Sequence, residues 1–329
     1  MAGRKVPASI LNTLSNLKDT TKSESGTYMR YYQFSVRGES HLGVETSEDT
    51  LFDLTSANPH ATDLFSLLKA ASLLGVSLDH VARQIIDRGV ASTLSIEELH
   101  ENTAEQAQGP KFEMPFRPPE VWAAGVTYQS SMFERQAESD TPDVYGKVYT
   151  ADRPEVFFKA TPSRLVSPYG EVGIRADSTW DVPEPELGFV LFDGKVAGYT
   201  CGNDMSSRSI EGDNPLYIPQ AKVYDQSCSI GPCFATLDAV GDPQKLNVRL
   251  RIERDGKEAF NGTTSTGEMF RDCEYIADWI QRHNALPDGT TVVTGTGVIP
   301  PMDFTLAEGD VVHVEIEAIG RLTNTVVVV

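Results

Sequence analysis

The sequence predicts an α+β, β-rich protein in two parts: a small N-terminal α+β domain over residues 1–115 and a larger, mostly β domain over 116–329. Three observations carry this. Helical spacing is concentrated between Ala61 and about Glu105, the proline-punctuated string GPKFEMPFRPPE follows it, and beyond that string apolar runs are joined twice by an Asp-Gly pair.

Taken in order, residues 27–54 run as YYQFSVRGE, HLGVETSED and LFDLT, apolar and β-branched stretches broken by Gly and acidic turns. They read as a small antiparallel sheet. From Ala61 the strings LFSLLKAASLLG and LDHVARQII repeat apolar residues at helical intervals, and Ser95 followed three residues later by Glu98 reads as a capping box. The prolines that follow place the domain boundary near residue 115. Beyond it, EVWAAGV reads as a buried strand and YQSSMFERQAES as a helix. Asp193-Gly194 in ELGFVLFDGKVAGYT and Asp255-Gly256 in LNVRLRIERDGKEAFNG are hairpin turns, because both residues tolerate the left-handed backbone such turns need. MFRDCEYIADWIQRHN is helical, and the tail strings TTVVTGTGVIPP, GDVVHVEIEAIG and TNTVVVV return to strands. No fixed-period repeat is present, and helices do not follow strands regularly enough for a doubly wound sheet.

Composition narrows the partners. The chain has 329 residues, 40% apolar and 23% charged, which is an ordinary soluble balance, and no stretch approaches the ~20 apolar residues of a membrane span. The N-terminal string MAGRKVPASILNTLSNLK has no continuous apolar core, so no secretory signal is read there and a cytoplasmic protein is expected. A net charge of −19 argues against a nucleic-acid partner, which needs clustered Lys and Arg. The four cysteines, at 201, 228, 233 and 273, match no zinc or redox spacing and read as buried free thiols. The string GTGVIP lacks a third glycine and places Pro300 and Pro301 where a helix would start, against dinucleotide binding.

The chemistry concentrates in DVPEPELGFV. Glu184 and Glu186 stand two apart at the start of a strand, so both side chains point to one face, and a cation between them relieves their repulsion. Pairing of ELGFVLFD with KVAGYTCG as a hairpin brings in Asp204, just past the end of the second strand. Three carboxylates form a hard oxygen set suited to Mg²⁺, Mn²⁺ or Ca²⁺. The six histidines lie at 41, 60, 80, 100, 283 and 313, leaving none between 101 and 282. That segment alone therefore builds neither a histidine-ligated metal nor a Ser-His-Asp triad. Arg208 and Lys222 are the nearest cations in sequence. On the surface they would need no role beyond solvation; in an acidic pocket they could hold a substrate carboxylate, and a partly desolvated lysine could have its pKa lowered far enough to move a proton.

Four separate motifs, PEPELGFVL, GYTCGNDMSSRSIEG, AKVYDQSCSIGP and TGTG followed by GDVVHVEIEAIG, resemble the fumarylacetoacetate hydrolase superfamily over roughly residues 118–329. The resemblance implies a mixed β-roll catalytic domain, a divalent cation held by Glu184, Glu186 and Asp204, and assembly as a homodimer or higher oligomer such as a tetramer. SRSIEGDNPLYIPQAKVYDQSC, TADRPEVFFKATPSR and GTGVIPP look like the branch that dehydrates 2-keto-3-deoxy sugar acids such as 2-keto-3-deoxy-D-arabinonate. Matching positions then imply roles around a 2-oxo acid for Arg208, Glu211, Lys222 and Thr296. The carbon-carbon hydrolases of the superfamily carry a water-activating His and Glu in G-x-N-Y-x-x-H-A-x-E. Here GVTYQSSMFE keeps Gly125, Tyr128 and Glu134 but has Ser131 at the His position. Serine is no base at neutral pH, which turns the expectation from hydrolysis to elimination.

The expected reaction is a Mg²⁺-dependent dehydration in pentose catabolism: enolate formation at C3, loss of the C4 hydroxyl and tautomerisation to 2,5-dioxopentanoate. Lys222 is the first candidate for proton transfer, with Glu134 and Glu211 as rivals, while Arg208, Tyr128, Ser131 and Thr296 face substrate. Two alternatives stand beside it: a hydrolase or decarboxylase of an acylpyruvate or oxaloacetate-like substrate, and a non-catalytic, metal-stabilised β module for assembly or ligand sensing.

Overall fold

A computed structural model describes residues 29–102, 109–138 and 142–329. The N-terminal string, the first residues of the expected sheet and the end of the expected helical stretch lie outside them. Internal contacts divide the chain into two compact units, Met1–Phe116 and Arg117–Val329.

In the first unit, β1 (Arg30–Val36), β2 (Glu39–Ser47), β3 (Thr50–Asp53) and β4 (Thr93–Ser95) pair antiparallel in sequence order, and β5 (Lys111–Phe112) pairs β1. Helix α1 (Leu54–Ala57) follows β3. Helices α2 (Leu64–Leu74) and α3 (Leu78–Arg88) bury Leu64, Leu67, Val81 and Ile85, and are capped by Asp63 and Ser77, whose side chains accept from the N–H groups of Ser66 and His80. The stretch expected to be helical throughout is interrupted by β4, because after Gly89 the apolar spacing lapses and Thr93–Ser95 pairs with β3 instead. Helix α4 (Ile96–Glu101) then starts at Ser95, whose hydroxyl accepts from Glu98 N–H at 3.1 Å.

The second unit holds two sheets. In the first, β12 (Cys228–Thr236), β11 (Lys195–Ser207), β10 (Asp181–Phe192), β15 (Thr291–Val293), β6 (Val121–Gly125) and β7 (Glu155–Ala160) are neighbours in that order, and β8 (Leu165–Val166) runs parallel to β12. The second has the order β14 (Lys257–Ser265), β13 (Asn247–Arg254), β16 (Val311–Ile316), β17 (Gly320–Val328) and β9 (Glu171–Ile174). In β13 the buried residues are Val248, Leu250 and Ile252, the alternation of a sheet with one face in the core. No residue of β10 is exposed. Its Leu187, Phe189 and Val190 are fully buried, each worth about 1.5–3 kcal/mol of transfer free energy.

The β10–β11 hairpin turns at Asp193-Gly194, both with positive φ (49° and 70°), and β13–β14 turns in the same way at Asp255-Gly256. Both strands of the first hairpin are longer than their apolar runs. Glu184 and Glu186 lie inside β10 and Asp204 lies inside β11, with Glu184 directly opposite Asp204. The expectation that these carboxylates stand at strand ends is corrected, because the ladder continues through the polar residues. Beyond them β15 pairs only Gly188–Val190, so the first half of β10 has no β15 neighbour. Pro183 and Pro185, which have no N–H to give a ladder, occupy that half.

Five further helices complete the described residues of this unit that matter to the site: α5 (Gln129–Glu138), α6 (Pro142–Thr150), α7 (Arg208–Asp213), α8 (Ile218–Lys222) and, packed on β11, a helix over Cys273–Gln281. All four cysteines are free and buried. No single helix among the described residues is long and apolar enough to cross a membrane.

Candidate metal centre

Where β10 lacks its second neighbour, a small cavity opens onto the hairpin, lined by Glu184, Glu186 and Asp204. All three carboxylates are buried, and each offers an oxygen within 4.8 Å of the others. Strand alternation puts Glu184 and Glu186 on one face, and direct pairing puts Asp204 beside Glu184. Burial raises the Glu186 carboxyl well above the ordinary range, and the charges of Asp204 and Glu184 raise it further. Gly295 N–H donates to Glu186 Oε2 at 2.7 Å. Gly295 has φ +84°, and a Cβ there would lie 2.3 Å from Thr127 Oγ1, so the donor needs glycine.

Cationic side chains ring the carboxylates. Lys222 Nζ, at the end of α8, bridges Glu184 Oε2 (2.9 Å) and Asp204 Oδ2 (3.2 Å) and donates to Ser206 Oγ. Arg208 Nη2 lies 3.0 Å and Arg135 Nη2 3.2 Å from Glu184 Oε1. A second nitrogen of Arg135 pairs with Glu211. Lys159 Nζ pairs with Asp204 Oδ1 at 2.5 Å. Burial alone would raise the Glu184 carboxyl, but Lys222, Arg208 and Arg135 hold it far below the usual carboxylate range. The expected lowering of the Lys222 pKa is overturned. Burial does act to lower it, but the adjacent carboxylates of Asp204 and Glu184 outweigh burial and raise it. In this arrangement Lys222 is an ammonium.

The donor set fits a hard divalent cation. It is all oxygen, buried and mutually repulsive at Glu186, with no histidine or cysteine in the cavity lining.

The remaining expected residues divide. Ser131 and Thr296 line the cavity with Glu211 and Lys222. Thr296 Oγ1 donates to Val298 O at 3.0 Å. Tyr128 is buried just before α5, outside the lining, with its hydroxyl pKa raised by burial and then by the Glu186 charge. Arg208 is buried behind Glu184 and reaches the site through that carboxylate. Glu134 is half-buried on α5 and is not among the lining residues. Four residues after Ser131, on the same helical face, it is Arg135 that lines the cavity.

Sequence reading passed over Arg135, Glu155 and Lys159. Alternation along β7 was the signal available for two of them. Glu155, Phe157 and Lys159 share one face, while Phe158 on the other packs edge-on against Trp122. Glu155 stands opposite Gly125, where a Cβ would sit 2.2 Å from Glu155 Oε2, so the glycine makes room for the carboxyl. Burial raises the pKa of Glu155, and the neighbouring charge of Glu211 raises it further.

Residues 120–327 match the family model described as fumarylacetoacetate (FAA) hydrolase, C-terminal. The chain is 46% identical over 301 residues to a probable 2-keto-3-deoxyxylonate dehydratase of Haloferax volcanii, covering 92% of this chain and all of that one. It is 42% identical over 218 residues to the 2-dehydro-3-deoxy-D-arabinonate dehydratase of Saccharolobus solfataricus, covering 64% of this chain and 73% of the relative. Among solved structures, 2-keto-3-deoxy-D-arabinonate dehydratase complexed with magnesium and 2,5-dioxopentanoate superposes with a TM-score of 0.76 at 31% identity, covering 91% of this chain and 99% of the other.

Proposed function

The chain belongs to the fumarylacetoacetate hydrolase family, and from that premise and the geometry of the cavity we propose a magnesium-dependent dehydratase. It converts a 2-keto-3-deoxypentonate, such as 2-keto-3-deoxy-D-arabinonate, to 2,5-dioxopentanoate. The arabinonate and xylonate names of the relatives are compatible. In the D series an oxo group at C2 and a CH₂ at C3 leave C4 as the only stereocentre, so both names denote one compound.

The observation that carries this reading is the pairing of a buried, all-carboxylate metal wall with an opposite wall that has Ser131 and Arg135 but no histidine to activate water. Glu184, Glu186 and Asp204 would hold Mg²⁺. Bound Mg²⁺ supplies the Lewis acidity that polarises a 2-oxo group and acidifies the adjacent C3–H.

The protein's own groups handle the protons. Glu211, fixed by its ion pair to Arg135, takes a proton from C3. Glu155, whose carboxyl holds its proton to higher pH than usual through burial and the nearby Glu211 charge, delivers it to the C4 hydroxyl as the C4–O bond breaks and water leaves. Lys222 turns one N–H from its present acceptors, Glu184, Asp204 and Ser206, to the 2-oxo oxygen and stabilises the negative charge that develops there. Proton return from C5 to C3 then gives the C4–C5 enol, which tautomerises to the aldehyde. Thr296 and Ser131 contact substrate, and Arg208 and Tyr128 support Glu184 and the start of α5. No step is assigned to Glu134. Buried free thiols suit a reducing cytoplasm, and a homo-oligomeric assembly is included in this proposal.

The test is direct. Protein with Mg²⁺ and 2-keto-3-deoxy-D-arabinonate should give the aldehyde proton of 2,5-dioxopentanoate by NMR. Pyruvate and a carboxylic acid from an acylpyruvate, with no aldehyde from the sugar acid, would overturn the dehydratase reading in favour of the hydrolase.

A further inference from the structure

Lys159 is fully buried on β7, and an ammonium held out of water is expensive unless every donor is met. Its Nζ donates to the Met205 carbonyl at 2.9 Å and to the Lys222 carbonyl, and forms an ion pair with Asp204 Oδ1 at 2.5 Å. These partners belong to different parts of the site. Asp204 and Met205 are consecutive in β11, one of them a candidate metal ligand, and Lys222 closes α8 with its side chain on Glu184 and Asp204.

We propose that Lys159 is a positioning residue that locks the metal ligand Asp204 and the backbone of Lys222 to one another through a single buried ammonium. Two consequences follow from the geometry. Asp204 is held at both oxygens, Oδ1 by the ion pair to Lys159 and Oδ2 by Lys222 Nζ at 3.2 Å, so its orientation toward a cation is fixed from two sides. Because Asp204 cannot rotate without breaking the bond to Lys159, and the Lys222 carbonyl cannot shift without breaking another, metal wall and ammonium keep a fixed spacing. Ligand-orienting partners of this kind typically change metal affinity or activity by about 10–100-fold when removed.

This role presupposes that Glu184, Glu186 and Asp204 hold the cation. It also makes a prediction opposite in sign to simple electrostatics. Removing a positive charge beside Asp204 should tighten cation binding by Coulomb's law, whereas loss of a positioning group should weaken it.

The experiment is calorimetric titration of Mg²⁺, with and without oxalate as a minimal chelating probe, into full-length wild type, Lys159→Met and Lys159→Gln. Circular dichroism melts and steady-state kinetics accompany it. The expected result for Lys159→Met is a 10–100-fold weaker Mg²⁺ affinity and a fall in kcat larger than any change in KM. Lys159→Gln, which keeps two donors, should fall between that variant and wild type. Mg²⁺ affinity in Lys159→Met equal to or tighter than wild type would overturn the role. If Lys159→Met does not fold, Lys159→Gln decides: wild-type affinity and kcat overturn the role, and weaker binding with a native melt supports it. Failure of both variants to fold overturns it in favour of a general core role. A wild-type chain that takes up no Mg²⁺ sinks the metal reading and this role together, while normal wild-type binding with unaltered variants sinks this role alone.

Discussion

Replacing Glu155 by Gln isolates the proton that the proposed elimination needs. The amide matches the carboxyl in size and fits the space that Gly125 leaves, so the variant should fold normally. It cannot give a proton to the departing C4 hydroxyl. General acid catalysis contributes about 10²–10⁴-fold, so kcat should fall by that factor, corresponding to about 3–5 kcal/mol of barrier. The pH dependence has a definite sign. The raised pKa keeps Glu155 protonated to higher pH than an ordinary carboxyl, so wild-type kcat holds below that pKa and falls as pH rises through it. In Glu155→Gln that alkaline limb should vanish from a much lower profile. NMR detection of the aldehyde at a series of pH values reads both quantities. A kcat within threefold of wild type, or an alkaline limb that persists, would falsify the assignment of Glu155 as the acid.

Glu134→Gln should leave kcat within about threefold, since Glu134 lies outside the cavity lining, and steady-state assay beside Glu155→Gln checks it. Chelation should abolish turnover and lower the melting temperature, and Mg²⁺ should restore both. At a free ion concentration 100 times Kd the ligand adds about 2.7 kcal/mol, and Glu186→Gln should lose most of that gain in a thermal melt. Burial raises the pKa of Asp181 to about 6. The folded state therefore holds a proton that the unfolded chain has lost, and stability drains away as pH rises from about 4 through 6. Asp181→Asn should escape this loss and gain about 1–3 kcal/mol on wild type at pH 7.5 relative to pH 4.5, read from urea melts at the two values.

The cluster of three carboxylates was legible in sequence because its geometry is local. The spacing of Glu184 and Glu186 reads directly as a shared strand face, and the Asp193-Gly194 turn fixes the register that brings Glu184 opposite Asp204. The α+β, β-rich character was legible for the same reason, as turn chemistry and apolar period are short-range signals. The opposite wall was not. Glu155 and Lys159 reach the site because β7 pairs with β6, which runs beside β15, and no local pattern encodes those pairings. Arg135 was hidden behind Glu134. A one-residue difference on a helix decides which side chain lines the cavity, and motif spacing carries no helix phase. The Lys222 pKa was misjudged because desolvation could be guessed from sequence, but two carboxylates within about 3 Å could not.

The break in pairing along β10, where the prolines sit, divides the enzyme's inheritance. One contiguous ribbon of chain carries the three carboxylates that would grip a cation, while the groups proposed to decide which bond gives way arrive from α5 and β7, earlier in the chain, and from α7, which follows β11 directly. Substitutions there that leave Arg135, Lys159 and Arg208, the side chains paired with the carboxylates, in place can redirect the outcome without disturbing the grip. The ribbon behaves as a fixed anvil, and the reaction performed on it is set by whichever tools the other walls bring.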